Sequence, residues 1–288
     1  MGLDVQIKQR VFGNKTMPLE VILGNILHYG SYDNYQLMIG ELGETEFIAY
    51  NPKCIGRGFS IIWNPKENKE IILRLPLPST NQEIKDFYEA VERMVKYWNG
   101  KLIVDNQPMN LSNFMAGLDT MMESNSRIIK DLARRVLDSG HSFLLASAMW
   151  DLSIGVDEAK LFFSNSDNFT KWLHKRQLVD ANYKIPRFYK ADDSIFGLYL
   201  LFNDEPSLFP YHPVLPKEIT EYKPEKRMVF EGWKVWLIIK GEKTPLCEMD
   251  YDKFVTLLPD DIKLRYDAER FYLRGLTDEE IRQLATKN

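Results

Sequence analysis

The sequence predicts an α+β fold in which antiparallel β-hairpins and meanders pack against amphipathic helices. Three observations carry that expectation. Short β-rich runs cluster at 36–75 and again from 184 onward, and they do not alternate regularly with helices as a parallel sheet would require. Two long segments place apolar residues at three- and four-residue steps, the period of a helix with one buried face. Turn-forming Asn, Asp, Gly and Pro punctuate the β-rich runs.

In chain order, residues 3–9 alternate as a strand. Residues 18–28 then align Leu19, Ile22, Leu23, Ile26 and Leu27 on a helical stripe, with Pro18 in the first turn and Gly30 at the exit. Runs at 36–39, 46–50, 58–63 and 69–75 read as a meander, with 64–68 as a hairpin connection. Ile84, Phe87, Tyr88, Val91, Met94, Val95 and Trp98 define a helix stopped by Asn99-Gly100. A strand at 101–104, a turn at 105–108 and a helix over 111–122 follow, with a break near 124–126. Ile128, Ile129, Leu132, Ala133, Val136 and Leu137 make a second stripe, capped by Gly140.

Beyond it the sequence predicts a strand over 142–150 and helices at 156–163 and 168–177, with Asp167 as N-cap. A hairpin follows from 184–190 and 195–202, joined by the turn at 191–194, and residues 203–227 read as an irregular connection. A hairpin around Gly241, a helix at 251–258 and a strand at 269–273 lead to a final helix from Asp278. There Thr277 and Glu280 form a capping box, which satisfies two orphan amides reciprocally. Two lobes of similar size, 1–139 and 140–288, are expected, and no fixed repeat aligns between them.

Composition narrows the function classes. Hydrophobic residues make up 44% of the 288 residues and aromatics 12%, enough apolar surface to form a core over most of the length. The longest apolar runs fall far short of the ~20 residues that span a bilayer, so no membrane is expected. The first ten residues lack the apolar stretch of a secretory signal, which points to a cytoplasmic protein whose Cys54 and Cys247 are free thiols. A formal charge of −4 without clustered Lys and Arg argues against nucleic acid as partner. The chain carries no phosphate loop, zincin His pair, nucleophile elbow or EF-hand, and no cofactor or metal is expected.

The most suggestive segment is Asn51-Pro52-Lys53-Cys54-Ile55-Gly56-Arg57-Gly58-Phe59. Gly56 and Gly58 would let successive amides converge as an anion nest, and Arg57 would add a bidentate grip on phosphate or carboxylate. The plainer reading is that the glycines permit a bulge or tight turn before a strand and that Arg57 is solvated. Cys54 beside Lys53 and Arg57 reads either as a thiol with lowered pKa or as an inert buried residue. His141 follows a helix end and His174 lies among Lys171, Lys175 and Arg176, both better explained as solvated structure than as a base or a metal ligand. The same holds for the turn pairs Asp192-Asp193 and Asp260-Asp261, and for the basic stripe of Arg127, Lys130, Arg134 and Arg135. Phe209, Tyr211 and His212, in a proline-rich stretch at 209–216, would offer aromatic side chains to a protein partner, or else pin the connection to the body.

The segment at 51–59 and the segment Leu77-Pro78-Ser79-Thr80-Asn81-Gln82-Glu83-Ile84-Lys85-Asp86-Phe87-Tyr88 resemble the domain-of-unknown-function family DUF4299, typical of Firmicutes. The resemblance runs over the whole chain and implies a cytosolic bacterial protein. It carries no activity, cofactor or catalytic residue onto these positions. Two readings follow: a non-catalytic protein that binds a protein partner or small ligand, and an enzyme that acts on an anionic small molecule through the Gly56-Arg57-Gly58 turn.

Overall fold

A computed structural model describes residues 2–10, 15–33, 36–64, 69–191, 194–215 and 229–288. The fold is α+β, and its contacts divide the chain into two compact units, Met1–Val179 and Asp180–Asn288. The division lies beyond the helices α5 and α6 described below, whereas the sequence reading places it at 139/140.

The first unit is built on an eight-stranded antiparallel sheet. Its strands are β1 (Gly2–Lys8), β2 (His28–Asp33), β3 (Gln36–Ile39), β4 (Glu46–Tyr50), β5 (Phe59–Trp63), β6 (Glu70–Pro76), β7 (Lys101–Val104) and β8 (Gln107–Met109). They lie in the order β3-β2-β4-β5-β6-β1-β7-β8, so the first strand sits inside the sheet, between β6 and β7. Period-two alternation sends Leu3, Val5 and Ile7 to one face together with Ile71, Leu73, Leu75, Phe59, Ile61, Phe47 and Ala49, all buried. Helix α2 (Asn81–Trp98) covers that face with Ile84, Phe87, Val91, Met94 and Trp98, the stripe read from the sequence. Burial of each such side chain contributes roughly 1.5–3 kcal/mol, which makes this face the main source of the unit's stability.

The helix at 18–28 is shorter than its periodicity suggests. α1 spans Leu19–Leu23 and ends at Gly24, whose φ of 61° lies in the left-handed region, and the chain then enters β2, where Gly30 is a strand residue. The break expected near 124–126 also lies elsewhere. α3 (Leu111–Ala116) stops at Gly117, and α4 (Leu118–Ser139) runs unbroken through the polar triplet. The reason is tertiary: Asn125 is fully buried, donates to the Ser79 carbonyl at 2.7 Å and accepts from the Ser79 amide at 2.9 Å, so a residue that favours turns is held inside a helix. The strand expected over 142–150 shrinks to β9 (Phe143–Leu145), paired with β10 (Leu152–Ile154). Helices α5 (Val156–Ser164) and α6 (Asp167–Gln177) complete the unit, and α5 packs on α4.

The second unit holds two four-stranded sheets. One has the order β11 (Asn182–Tyr183), β14 (Ser207–Pro210), β18 (Arg270–Leu273), β17 (Lys263–Arg265). The other has the order β12 (Arg187–Ala191), β13 (Ser194–Phe202), β15 (Val229–Ile238), β16 (Cys247–Asp250). Both predicted hairpins are present, β12 with β13 and β15 with β16. The parallel pairing of β13 with β15 joins strands that no local turn connects. Tyr199, Leu201, Val235 and Leu237 share a core with Phe209, Phe271 and Leu273, closed by α7 (Tyr251–Leu257) and α8 (Asp278–Thr286). The turns at 65–68 and 192–193 lie outside the described residues. Among the described residues no helix is long and apolar enough to cross a membrane.

Candidate functional site

The open face of the first sheet forms the candidate site. Register brings Gly30, Ile48, Ser60, Arg74 and Asp4 into one row across β2, β4, β5, β6 and β1. Residues 146–151 pass over this face after β9. Ala148 packs with Leu37, Tyr50 and Ile55, and its amide donates to the Gly56 carbonyl at 3.1 Å. The Tyr32 hydroxyl lies 2.9 Å from the Ser147 carbonyl and 3.0 Å from that of Ala148, and Gln177 holds the next turn through the Met149 amide at 2.6 Å. Between this strap and the row lies a cleft of about 370 Å³, lined by Tyr32, Ile48, Arg57, Ser60, Arg74 and Leu75 among others. That volume falls at the lower end of the range for small-molecule sites.

Arg57 and Gly58 stand in the cleft wall, where the turn at 56–58 binds a carboxylate that belongs to the chain itself. Glu83, in the first turn of α2, is only 1% exposed. Its carboxylate accepts from the Gly58 amide at 2.5 Å, from the Ser79 hydroxyl at 2.5 Å and from the Thr80 amide at 3.2 Å. The Glu83 amide in turn donates to the Thr80 hydroxyl, which closes a capping box. A Cβ on residue 56 would lie 2.6 Å from the Glu83 carboxyl carbon, and one on residue 58 would lie 2.5 Å from the Ile48 methyl at a φ of 68°. Both glycines are therefore required by close approach, and the nest they form is filled by Glu83.

Arg57 donates through Nε to the Ala146 carbonyl at 2.7 Å and through Nη1 to the Pro78 carbonyl at 3.1 Å. Burial draws its pKa down, while Glu83, Asp151 and Tyr32 favour the charged form. Burial of the hydroxyl under the strap pushes Tyr32 up from 10.0 to about 12, with Asp151 adding to the rise and Arg57 opposing it. Tyr32 as a whole nevertheless remains 47% exposed, although its hydroxyl is bonded to the strap. Arg74 pairs with Asp4 at 3.1 Å.

Cys54 is no activated thiol. Burial pushes its pKa up, and Glu83 and Asp86 add to the rise despite a hydrogen bond with Thr80. Burial first, and then carboxylates that only the fold brings close, set its environment. Among the described residues neither a cysteine nor a histidine lines the cleft. His28, His141 and His212 are exposed at separate places, and His174 lies on α6. Phe209 is fully buried, and Tyr211 packs on Phe271 with ring centroids 5.4 Å apart, so the aromatic residues after β13 serve the second core while His212 stays at the surface. Among the described residues no group of three or more His, Cys, Asp and Glu side chains is placed to hold a metal ion.

Sequence reasoning missed Glu83, the residue that organises the site. Its signal is the pattern Thr80-Asn81-Gln82-Glu83, the capping box also read at Thr277 to Glu280.

These features define an α+β protein whose largest sheet leaves one face open as a strapped cleft. The chain belongs to the family Domain of unknown function (DUF4299), whose model matches residues 2–284. No curated protein and no solved structure matches it.

Proposed function

We propose that the protein is a non-catalytic binding protein and that the strapped cleft of the first unit takes a small ligand. One observation carries the reading: the cleft presents Arg57 and Arg74 beside Ile48, Pro76 and Ala146, with neither a histidine nor a cysteine among the described residues that line it. An apolar floor with a few placed donors suits recognition, because buried apolar area supplies affinity and the donors fix orientation. Proton transfer needs a group that titrates near the working pH. Tyr32 is pushed away from that range. The Gly56-Arg57-Gly58 turn contributes through Arg57 alone, since its amide site is filled by Glu83.

Native mass spectrometry of the full chain purified from its own host tests the reading. The expected result is one small molecule per chain, lost on unfolding and recovered chemically unchanged after incubation with fresh protein. Turnover of that molecule would refute the non-catalytic assignment.

A further inference from the structure

The charges around the cleft specify the kind of ligand. Two arginines line it, and three carboxylates offset them. Asp4 bonds Arg74 at 3.1 Å, Glu83 sits on the amide next to Arg57, and Asp151 lies within electrostatic range of Arg57 at the end of the strap. The local charge without ligand is thus two positive against three negative. An anion added here meets no unbalanced cation, and the backbone amide that would grip a phosphate already serves Glu83. A ligand ammonium fares no better, because Arg57 and Arg74 both line the cleft whereas only Asp4 of the three carboxylates does, and Asp4 is bonded to Arg74.

Hydrogen-bonding capacity is left over where charge is not. A guanidinium has five N–H donors. Arg57 gives two to the carbonyls of Ala146 and Pro78, and five less two leaves three with no protein acceptor among the described residues. Both groups that Arg57 already holds are amide carbonyls. The Ser60 hydroxyl adds a further donor beside the apolar side chains of Ile48 and Pro76.

We infer that the cleft selects an uncharged ligand, an apolar body carrying an amide or similar carbonyl that accepts from Arg57. This rests on the reading of the cleft as the ligand site. The test compares two probes of one shape, 4-methylpentanamide and 4-methylpentanoate, titrated at pH 7 into the full chain. The methyl resonances of Ile48 and Ala146 are followed by NMR, together with the dissociation constants. The amide is expected to shift both methyls saturably and to bind at least about tenfold more tightly than the carboxylate, the factor carried by ~1.4 kcal/mol. Asp4→Asn, which removes one of the three negative charges, should strengthen carboxylate binding several-fold relative to the amide. Equal or tighter binding of the carboxylate to the unmodified chain overturns the inference while keeping the cleft as a ligand site. Failure of both probes to move either methyl overturns the inference and the cleft reading together.

Discussion

Substitution of Gly56 by alanine tests the filled nest directly. The new Cβ would meet the Glu83 carboxylate, with the carboxyl carbon 2.6 Å away, so the buried side chain must move. The move breaks its two short hydrogen bonds, to the Gly58 amide and the Ser79 hydroxyl, both 2.5 Å. Hydrogen bonds to a charged group are worth about 1.5–3 kcal/mol each, so the lower value gives a loss of about 3 kcal/mol. Reduced freedom of the unfolded chain on replacing glycine offsets about 0.5 kcal/mol, and a net destabilisation of about 2.5 kcal/mol is expected. Glu83→Ala alone should destabilise by a similar amount, because it leaves buried donors unsatisfied. Once Glu83 is gone, Gly56→Ala meets no obstacle and should cost nearly nothing. The assay is urea unfolding followed by hydrogen-exchange mass spectrometry, which reads peptides of the first unit separately from those of the second. A coupling of about 2 kcal/mol between the two sites is expected. Costs that add to within about 0.5 kcal/mol would refute the reasoning, since independent sites behave in that way.

Three further outcomes follow from other parts of the molecule. Asp267→Asn should destabilise the second unit by about 3–5 kcal/mol, because it strips a buried charge partner from Arg270, which bonds Asp267 at 3.0 Å and is 5% exposed; a change below about 1 kcal/mol in urea unfolding would contradict the packing described. Cys54 should react with iodoacetamide at pH 8 more slowly in the folded chain than in urea, since its raised pKa leaves less thiolate, and equal rates would show an accessible, ordinary thiol. Glu280 is held down to about 2 by Arg274 and the Thr277 amide. A carboxylate whose folded pKa is depressed stabilises the fold above its ordinary 4.5 and loses that contribution as pH falls towards 2. Amide shifts in the first turn of α8 should therefore titrate with a midpoint near pH 2 and not near 4.5, and Glu280→Gln should abolish the movement.

What the sequence made legible is local. The stripe from Ile84 to Trp98 named the helix and its buried face because a 3.6-residue period survives any tertiary arrangement. The hairpin pairing of Trp236 with Glu248 was readable because its turn chemistry is adjacent in the chain. The insertion of β1 between β6 and β7 was not, since nothing near Val5 says that Leu73 lies on one side and Val104 on the other. Asn125 misled by propensity, which its bonds to Ser79 override. At the site, Gly56 and Gly58 announced a close approach without naming what approaches. The partner is Glu83, distant in sequence from the turn, and it adds to the burial that raises the pKa of Cys54.

The inserted position of β1 also governs how the protein can be handled. Gly2 borders the cleft. An affinity tag or fusion partner attached at this end would start beside the proposed ligand site and compete with whatever enters. A label intended for binding work belongs elsewhere on the chain, and a tag-dependent difference in ligand occupancy would itself report on the cleft.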